Sequence, residues 1–235
     1  MKRALILALV FVNSQLPTGR VDPNPHAWEL GLRRLFGVGS LEAAQAHGRL
    51  FPPQDLGLLE SPDRAAWQKP EQIMDALAIA DGGAVADIGA GAGWFTIHLA
   101  RRVGPNGVVY AQDVQRQMLE AIRRRVERER LQNVKTLLGE DRDPHLPKGS
   151  LDAVLVVDVY PEVTARVAFL RNVAAALKPG GRIGIVNYKP GRGGPGPAAE
   201  DRIESTAVEA DARAAGLRVL AHENLPYQYL LVLGR

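Results

Sequence analysis

The stretch Asp87-Ile88-Gly89-Ala90-Gly91-Ala92-Gly93 decides how this chain folds. It closes the short apolar run 84–88 and comes directly before a helical pattern that begins at Trp94. Glycines between a strand and a helix allow a tight turn and let backbone amides approach a ligand closely. The N-terminus of the following helix favours a carboxylate or a phosphate. The stretch therefore predicts a strand, a ligand-binding loop and a helix in succession.

The same alternation of apolar runs and helical patterns continues along the chain. We predict strands at 84–88, 108–111, 134–138, 151–157 and 182–188. We predict helices at 71–79, 94–103, 115–131, 165–177 and 198–215, with a stop and turn at 178–181. Alternation of this kind implies a parallel sheet that is covered by helices on both faces.

The final two strand-like runs break this alternation. Residues 217–222 and 227–233 are separated only by 223–226, which is too short for a crossover, so we expect an antiparallel hairpin. The predicted fold class is therefore α/β: a Rossmann-like seven-stranded sheet, mostly parallel with an antiparallel C-terminal hairpin strand, and helices on both faces.

An acidic residue follows the second predicted strand. Asp113 lies 20 residues beyond Gly93, where an acidic side chain reaches a ribose diol in nucleotide-binding folds. The same side chain could instead only cap the helix that begins near Gln115. A dinucleotide fingerprint needs a third glycine at the sixth position counted from Gly89, and Trp94 occupies that position. A nicotinamide-dependent dehydrogenase is therefore a disfavoured alternative.

Alternate glycines with an acid two residues ahead, together with the final hairpin, resemble the class I S-adenosylmethionine-dependent methyltransferases. The resemblance covers about residues 70–235. Three further segments share it: Gly139-Glu140-Asp141, Leu151-Asp152-Ala153-Val154 leading to Asp158, and Leu177-Lys178-Pro179-Gly180-Gly181-Arg182, which is similar to the quinone-biosynthesis-like branch. The resemblance implies S-adenosyl-L-methionine as the cofactor.

The resemblance also implies a role for each residue of the cofactor site. The backbone of the glycine loop would hold the amino-acid part of the cofactor, with Asp87 near its ammonium group. Asp113 would accept hydrogen bonds from the ribose hydroxyls. Asp141 or Glu140 would face the adenine amino group, although this segment could be only a charged loop. The implied cofactor-binding residues are Asp87, Gly89, Ala90, Gly91, Gly93, Asp113, Val114, Glu140, Asp141 and Asp158, with Arg142 as a neighbour.

The methyl acceptor is less well defined by the sequence. Asp158 and Tyr160 are the catalytic candidates, opposite Asn187 and Tyr188, although Tyr160 could equally serve in packing. Asp158-Val159-Tyr160-Pro161 departs from the motif of many amino-group methyltransferases of nucleic acids and proteins. We therefore expect direct methyl transfer to an oxygen or carbon of a small molecule. A non-catalytic protein that only binds S-adenosylmethionine is the alternative.

Composition narrows the partners of the chain. It has 235 residues, 46% of them hydrophobic, a net charge of +3 and no cysteine. The absence of cysteine excludes disulfides, thiolate metal sites and a cysteine nucleophile. The five histidines show no metal-ligand spacing, so no metal is expected. Residues 71–235 are nearly neutral, which makes nucleic acid an unlikely partner. The oligomeric state is left open.

The N-terminal part is ambiguous. Residues 1–18 match either a signal peptide or N-terminal anchor, or a strand or helix packed on the body; the apolar run 4–12 is too short to span a membrane. Residues 19–68 are predicted to form a helical extension or cap, in which Trp67 and Gln68 either fold over the cofactor or serve in packing. Residues 69–235 would form the cofactor-binding domain. Use of S-adenosylmethionine favours a cytoplasmic location. The loop 190–197 is either a plain surface loop or a lid.

Overall fold

We describe a computed structural model of the chain, for residue 52, residues 61–191 and residues 194–235. The segment 1–18 and most of the extension 19–68 lie outside the described residues, so the expectations for them stay predictions. Among the described residues no helix is both long enough and apolar enough to cross a bilayer.

The described residues form six α-helices and seven strands in alternation. The helices are α1 (Arg64–Gln68), α2 (Pro70–Ala76), α3 (Trp94–Val103), α4 (Arg116–Arg128), α5 (Arg166–Ala176) and α6 (Ser205–Ala214). The strands are β1 (Ala84–Ile88), β2 (Val108–Asp113), β3 (Val134–Leu138), β4 (Leu151–Val157), β5 (Leu177–Tyr188), β6 (Arg218–Asn224) and β7 (Gln228–Gly234). Single 3-10 turns cover Tyr160–Glu162 and Ala199–Asp201.

All seven strands belong to one sheet in the order β3-β2-β1-β4-β5-β7-β6. Strands β1 to β5 pair in parallel, whereas β7 runs antiparallel to both β5 and β6. The predicted fold class is confirmed. The strand order reverses between β1 and β4, and ligands bind at the carboxyl edge of an open α/β sheet at such a point.

Successive side chains of the central strands point to opposite faces of the sheet and pack into two separate hydrophobic cores. Because side chains alternate along a strand, each central strand buries apolar residues on both faces. On one face they pack against α5 and α6, and on the other against α2 and α3. The first core includes Ala86, Val154 and Ile185, and the second includes Val85, Leu155 and Val186.

Several predicted boundaries differ from the structure, and the two largest differences are at the starts of β5 and α6. Residues 178–181, predicted as a turn before the fifth strand, lie inside β5, which begins at Leu177. The pairing with β4 jumps from Leu151↔Leu177 to Ala153↔Arg182, so the extra residues bulge out, with Gly180 at φ +80°. The helix predicted at 198–215 is shorter, because a 3-10 turn precedes α6.

Candidate functional site

A large cleft opens at the carboxyl edge of the sheet. The segments that follow β1, β2, β4 and β5 line it, together with α1 and residues 195–204. Its volume is about 2030 Å³. Sites for one small molecule usually measure about 300–1000 Å³. The cleft therefore has room for a cofactor and a second ligand.

The glycine loop forms one wall of this cleft through Gly89, Ala90 and Gly91. Gly89 and Gly91 have φ angles of +64° and +54°, which favour glycine. A Cβ on Gly89 would lie 2.2 Å from Cγ2 of Val159, so the close approach of the segment after β4 also requires glycine there.

Gly93, predicted to bind the cofactor, does not line the cleft. It is buried where α3 begins, with φ +78°, and a Cβ would lie 3.2 Å from Cγ1 of Ile122 on α4. Its glycine is needed for close packing of the helices, which corrects the expectation of direct contact.

Asp113 links the loop to the end of β2. Its Oδ2 accepts a hydrogen bond from the Gly91 N–H at 3.0 Å, and its Oδ1 accepts one from the Gln115 N–H at 2.9 Å. The second bond is the helix-start contact considered above, so the side chain makes this contact while also lining the cleft. Burial raises the pKa of Asp113, and these backbone donors oppose the rise.

Asp87 lies beneath the glycine loop. It is 2% exposed and accepts a hydrogen bond from the Thr96 hydroxyl at 2.6 Å. Burial raises the pKa of Asp87 to about 7. A cationic ligand group beside this carboxyl would favour its ionised form.

The predicted adenine-side residues also reach the cleft. Val114, Glu140, Asp141 and Arg142 all line it. Asp141 accepts hydrogen bonds from the backbone N–H and the hydroxyl of Thr164, so its carboxylate is held in place. The individual roles of these residues stay predictions.

Asp158 follows β4 and stands at the end of a hydrogen-bonded relay that starts on α1. Arg64 Nε donates to Gln68 Oε1, and Gln68 Nε2 donates to Gln228 Oε1 at 3.0 Å. Gln228 Nε2 in turn donates to both carboxylate oxygens of Asp158, at 2.9 and 2.7 Å. Each amide has its oxygen toward Arg64 and its nitrogen toward Asp158. The relay therefore presents donors to Asp158, which favours the carboxylate form.

The electrostatic balance around Asp158 leaves it able to exchange a proton near neutral pH. The residue is partly exposed to the cleft and has φ +58°. Burial raises its pKa to about 7, and the Arg64 guanidinium and the glutamine donors limit the rise. Glu162, in the following 3-10 turn, is a second cleft carboxyl whose pKa burial raises to about 7. A carboxyl with a pKa near the working pH is suited to general base catalysis.

Tyr160, the other catalytic candidate, is not in the cleft wall. Its side chain is fully buried, and its hydroxyl donates to Asp211 Oδ2 at 3.0 Å. Its ring meets that of Phe169 edge-on, with the centroids 6.4 Å apart. The structure corrects the catalytic expectation in favour of packing, because the apolar core on that face encloses the ring.

Sequence reasoning missed several residues of the cleft wall and of the relay to Asp158. Arg64, Glu162 and Gln228 carry no recognisable motif, and Gln228 lies 160 residues from its partner Gln68. The Arg64 guanidinium lies 4.4 Å from the ring centroid of Trp94, so α1 contributes directly to the wall. Among the two residues considered for this segment, Gln68 is buried and Trp67 lines the cleft.

Aromatic rings form the outer wall. The centroid of Trp67 lies 6.1 Å from those of both Tyr188 and Tyr227. Gly196 packs on the ring of Tyr188, and the guanidinium of Arg202 donates to backbone carbonyls on both sides of that glycine, those of Pro195 and Pro197. The described part of the 190–197 segment therefore lies against the cleft. Among the described residues no cluster of three or more histidine, aspartate or glutamate side chains could hold a metal ion.

Comparison with known proteins agrees with this geometry. A family model described as a methyltransferase domain matches residues 85–181. Nocamycin O-methyltransferase of Saccharothrix syringae is 31% identical over 51% of this chain and 42% of its own length. Demethylmenaquinone methyltransferase of Geobacillus sp. is 29% identical over 48% of each chain. The chain thus spans about half the length of these relatives.

Among solved structures, a SAM-dependent methyltransferase from Aquifex aeolicus is similar with a TM-score of 0.75 and 27% identity. The match covers 78% of this chain and 98% of that one.

Proposed function

We propose that this chain, whose residues 85–181 match the methyltransferase-domain model, uses S-adenosylmethionine to transfer a methyl group directly to an oxygen or carbon of a small-molecule acceptor. The observation that carries the proposal is the hydrogen-bonded contact between the glycine loop and Asp113. The Gly91–Asp113 hydrogen bond holds them together at the point where the strand order reverses.

The residues of the cleft fit S-adenosylmethionine. Carboxyl side chains outnumber guanidinium groups along the wall, which suits a cofactor with a sulfonium and an ammonium group. Asp87 and the loop from Gly89 to Gly91 would hold its amino-acid part, Asp113 its ribose, and Asp141 with Val114 its adenine. When bound, the cofactor supplies an electrophilic methyl group on a positively charged sulfur, and the sulfur keeps the electron pair of the broken bond.

The protein then has to orient the acceptor, exclude water and take up a proton. Asp158 is the group for the last task, because it faces the cleft and exchanges its proton near neutral pH. It accepts the proton that an acceptor hydroxyl releases on becoming an ether oxygen. Trp67, Tyr188 and Tyr227 line the same cleft and offer aromatic surface for an acceptor.

The near-neutral charge of residues 71–235 supports a small-molecule acceptor over a nucleic acid. The name of one relative, an O-methyltransferase, supports an oxygen acceptor.

Calorimetric titration with S-adenosylmethionine, S-adenosylhomocysteine and NAD tests the cofactor assignment. We expect both sulfur compounds to bind and Asp113→Ala to weaken them at least tenfold, which is about 1.4 kcal/mol. Asp75→Ala is the matched control, because Asp75 is an exposed carboxylate paired with Arg102 outside the cleft. Equal losses in the two variants, or NAD as the only ligand, would refute the assignment. Binding without turnover over a broad acceptor panel would instead favour a non-catalytic protein.

A further inference from the structure

Asn187, at the carboxyl end of β5, carries a buried acceptor that no described residue satisfies. The residue is 1% exposed and lines the cleft. Its Oδ1 has no hydrogen-bond partner among the described residues. A buried polar atom without a hydrogen-bond partner carries an uncompensated desolvation cost. Such an atom in a cleft wall therefore indicates that a ligand supplies the missing donor.

The orientation of the Asn187 amide is fixed by its neighbours. The Tyr229 hydroxyl donates its one proton to the Ile203 carbonyl at 3.0 Å. It can therefore only accept from Asn187, whose Nδ2 lies 3.3 Å away. Burial raises the pKa of Tyr229 to about 12, so the hydroxyl keeps its proton at neutral pH. The Asn187 nitrogen is thus committed to Tyr229, and the oxygen is left as an acceptor.

Asn187 is the neighbour of Asp158 across the edge of the sheet. Val157 pairs with Val186, and the Asp158 N–H donates to the Val186 carbonyl at 2.8 Å. Adjacent strands lie about 4.8 Å apart, so the two side chains start from points roughly that far apart. Two hydrogen-bond acceptors, each oriented by its own relay, therefore stand side by side in the acceptor half of the cleft.

We propose that Asn187 selects the methyl acceptor by accepting a hydrogen bond from a donor group of that molecule, next to the hydroxyl that Asp158 deprotonates. This inference rests on the proposed function. The ligand class is a planar hydroxy compound with a second hydrogen-bond donor, and its ring lies against the aromatic wall of Trp67, Tyr188 and Tyr227. A compound with an ether oxygen in place of the second donor would set that oxygen against the Asn187 Oδ1, and because both atoms only accept hydrogen bonds it should bind less tightly.

Two probes test this with the protein saturated with S-adenosylhomocysteine. They are resorcinol (1,3-dihydroxybenzene), whose hydroxyls are about one strand spacing apart, and 1,3-dimethoxybenzene, which has the same ring and no donor. We expect calorimetry at millimolar concentration to show resorcinol binding at least tenfold more tightly, which is about 1.4 kcal/mol.

Two variants assign the preference to the Asn187 oxygen. Asn187→Leu removes the acceptor with little change in size, and we expect the preference for resorcinol to disappear. Tyr229→Phe leaves Asn187 in place but frees its amide to turn and present the nitrogen. We expect 1,3-dimethoxybenzene to bind more tightly in Tyr229→Phe, a change of specificity that a purely structural defect would not cause. Thermal unfolding and S-adenosylhomocysteine affinity are measured on each variant to verify folding.

The inference is overturned by any of three results: no resorcinol binding to the S-adenosylhomocysteine complex, equal binding of the two probes, or a preference that persists in Asn187→Leu. Failure of the proposed function has a different signature, because S-adenosylhomocysteine itself would then not bind or would bind independently of Asp113.

Discussion

Replacing Gln228 by leucine tests the relay that holds Asp158 in its ionised form. Gln228 Nε2 donates to both oxygens of Asp158, at 2.9 and 2.7 Å. A hydrogen bond to a charged group contributes about 1.5–3 kcal/mol. Since one pKa unit corresponds to about 1.36 kcal/mol, the pKa of Asp158 should rise by about one to two units above its present value. That value is about 7 in the intact protein.

The consequence is largest at neutral pH. At pH 7 the ionised fraction of Asp158 would fall from about one half to about a tenth or less. The variant should therefore reach the same ionised fraction of Asp158 only at a higher pH. Gln68→Leu should have a smaller effect in the same direction, because Gln68 also lowers the pKa of Asp158 but less than Gln228 does, and its 3.0 Å bond to Gln228 Oε1 orients that amide.

The measurement is the carbon-13 chemical shift of the Asp158 carboxyl as a function of pH, assigned with Asp158→Asn. Gln72→Leu is the control, because Gln72 is an exposed glutamine bonded to Glu223 outside the cleft. An unchanged titration of Asp158 in Gln228→Leu, with a folded protein by thermal unfolding, would refute the role given to the relay.

Three further predictions concern the loop, the buried acid and the core tyrosine. Gly89→Ala should lower the free energy of unfolding by about 2–4 kcal/mol, because a clash with Val159 adds to the backbone strain. Gly149→Ala is the control: its φ is similar but the space around it is open, so it should cost only about 1 kcal/mol. Equal losses of the two variants in denaturant unfolding would count against the packing argument. Since burial raises the pKa of Asp87 to about 7, folding retains its proton, and this contribution to stability is full below pH 4 and is lost as the pH rises to about 7. The Asp87→Asn variant should accordingly gain stability relative to the parent progressively from about pH 4 to about pH 7 and keep a constant advantage of about 4 kcal/mol above that, and a difference that stays constant from pH 4 to pH 7 would contradict this. Tyr160→Phe should cost about 1 kcal/mol through its bond to Asp211 and leave acceptor KM unchanged, and a raised KM would return Tyr160 to the site.

The sequence was sufficient for the sheet and for bringing the glycine loop and Asp113 together at one cleft. Both depend on local patterns: apolar runs of strand length, and glycines at fixed offsets between β1 and α3. Asp113 also has a defined distance from that loop. The backbone conformation of the glycine loop, and the short distance from the loop to Asp113, leave these residues little positional freedom.

The acceptor half could not be predicted in the same way. The pairing of Gln68 with Gln228 joins residues 160 positions apart, and glutamine has no pattern that marks such a partner. The family resemblance of the segment after β4 places Tyr160 near the reaction, but a 3-10 turn directs its side chain into the core. Topology predicts that Asn187 and Asp158 lie at the same edge of the sheet, and the pairing of β4 with β5 makes them neighbours. The orientation of the Asn187 amide depends on Tyr229, which only the completed hairpin brings near.

The position of β7 between β5 and β6 has a consequence for the order in which the protein can assemble. All residues of the proposed cofactor half except Asp158 lie before residue 143, so the ribosome exposes them early. Asp158 and Asn187 lack their oriented partners until β7 has been synthesised and has inserted beside β5. Closing a loop of 160 residues between Gln68 and Gln228 carries an entropic cost that shorter contacts avoid. A nascent chain therefore contains every residue of the proposed cofactor-binding edge except Asp158 well before β7 supplies the partners of Asp158 and Asn187.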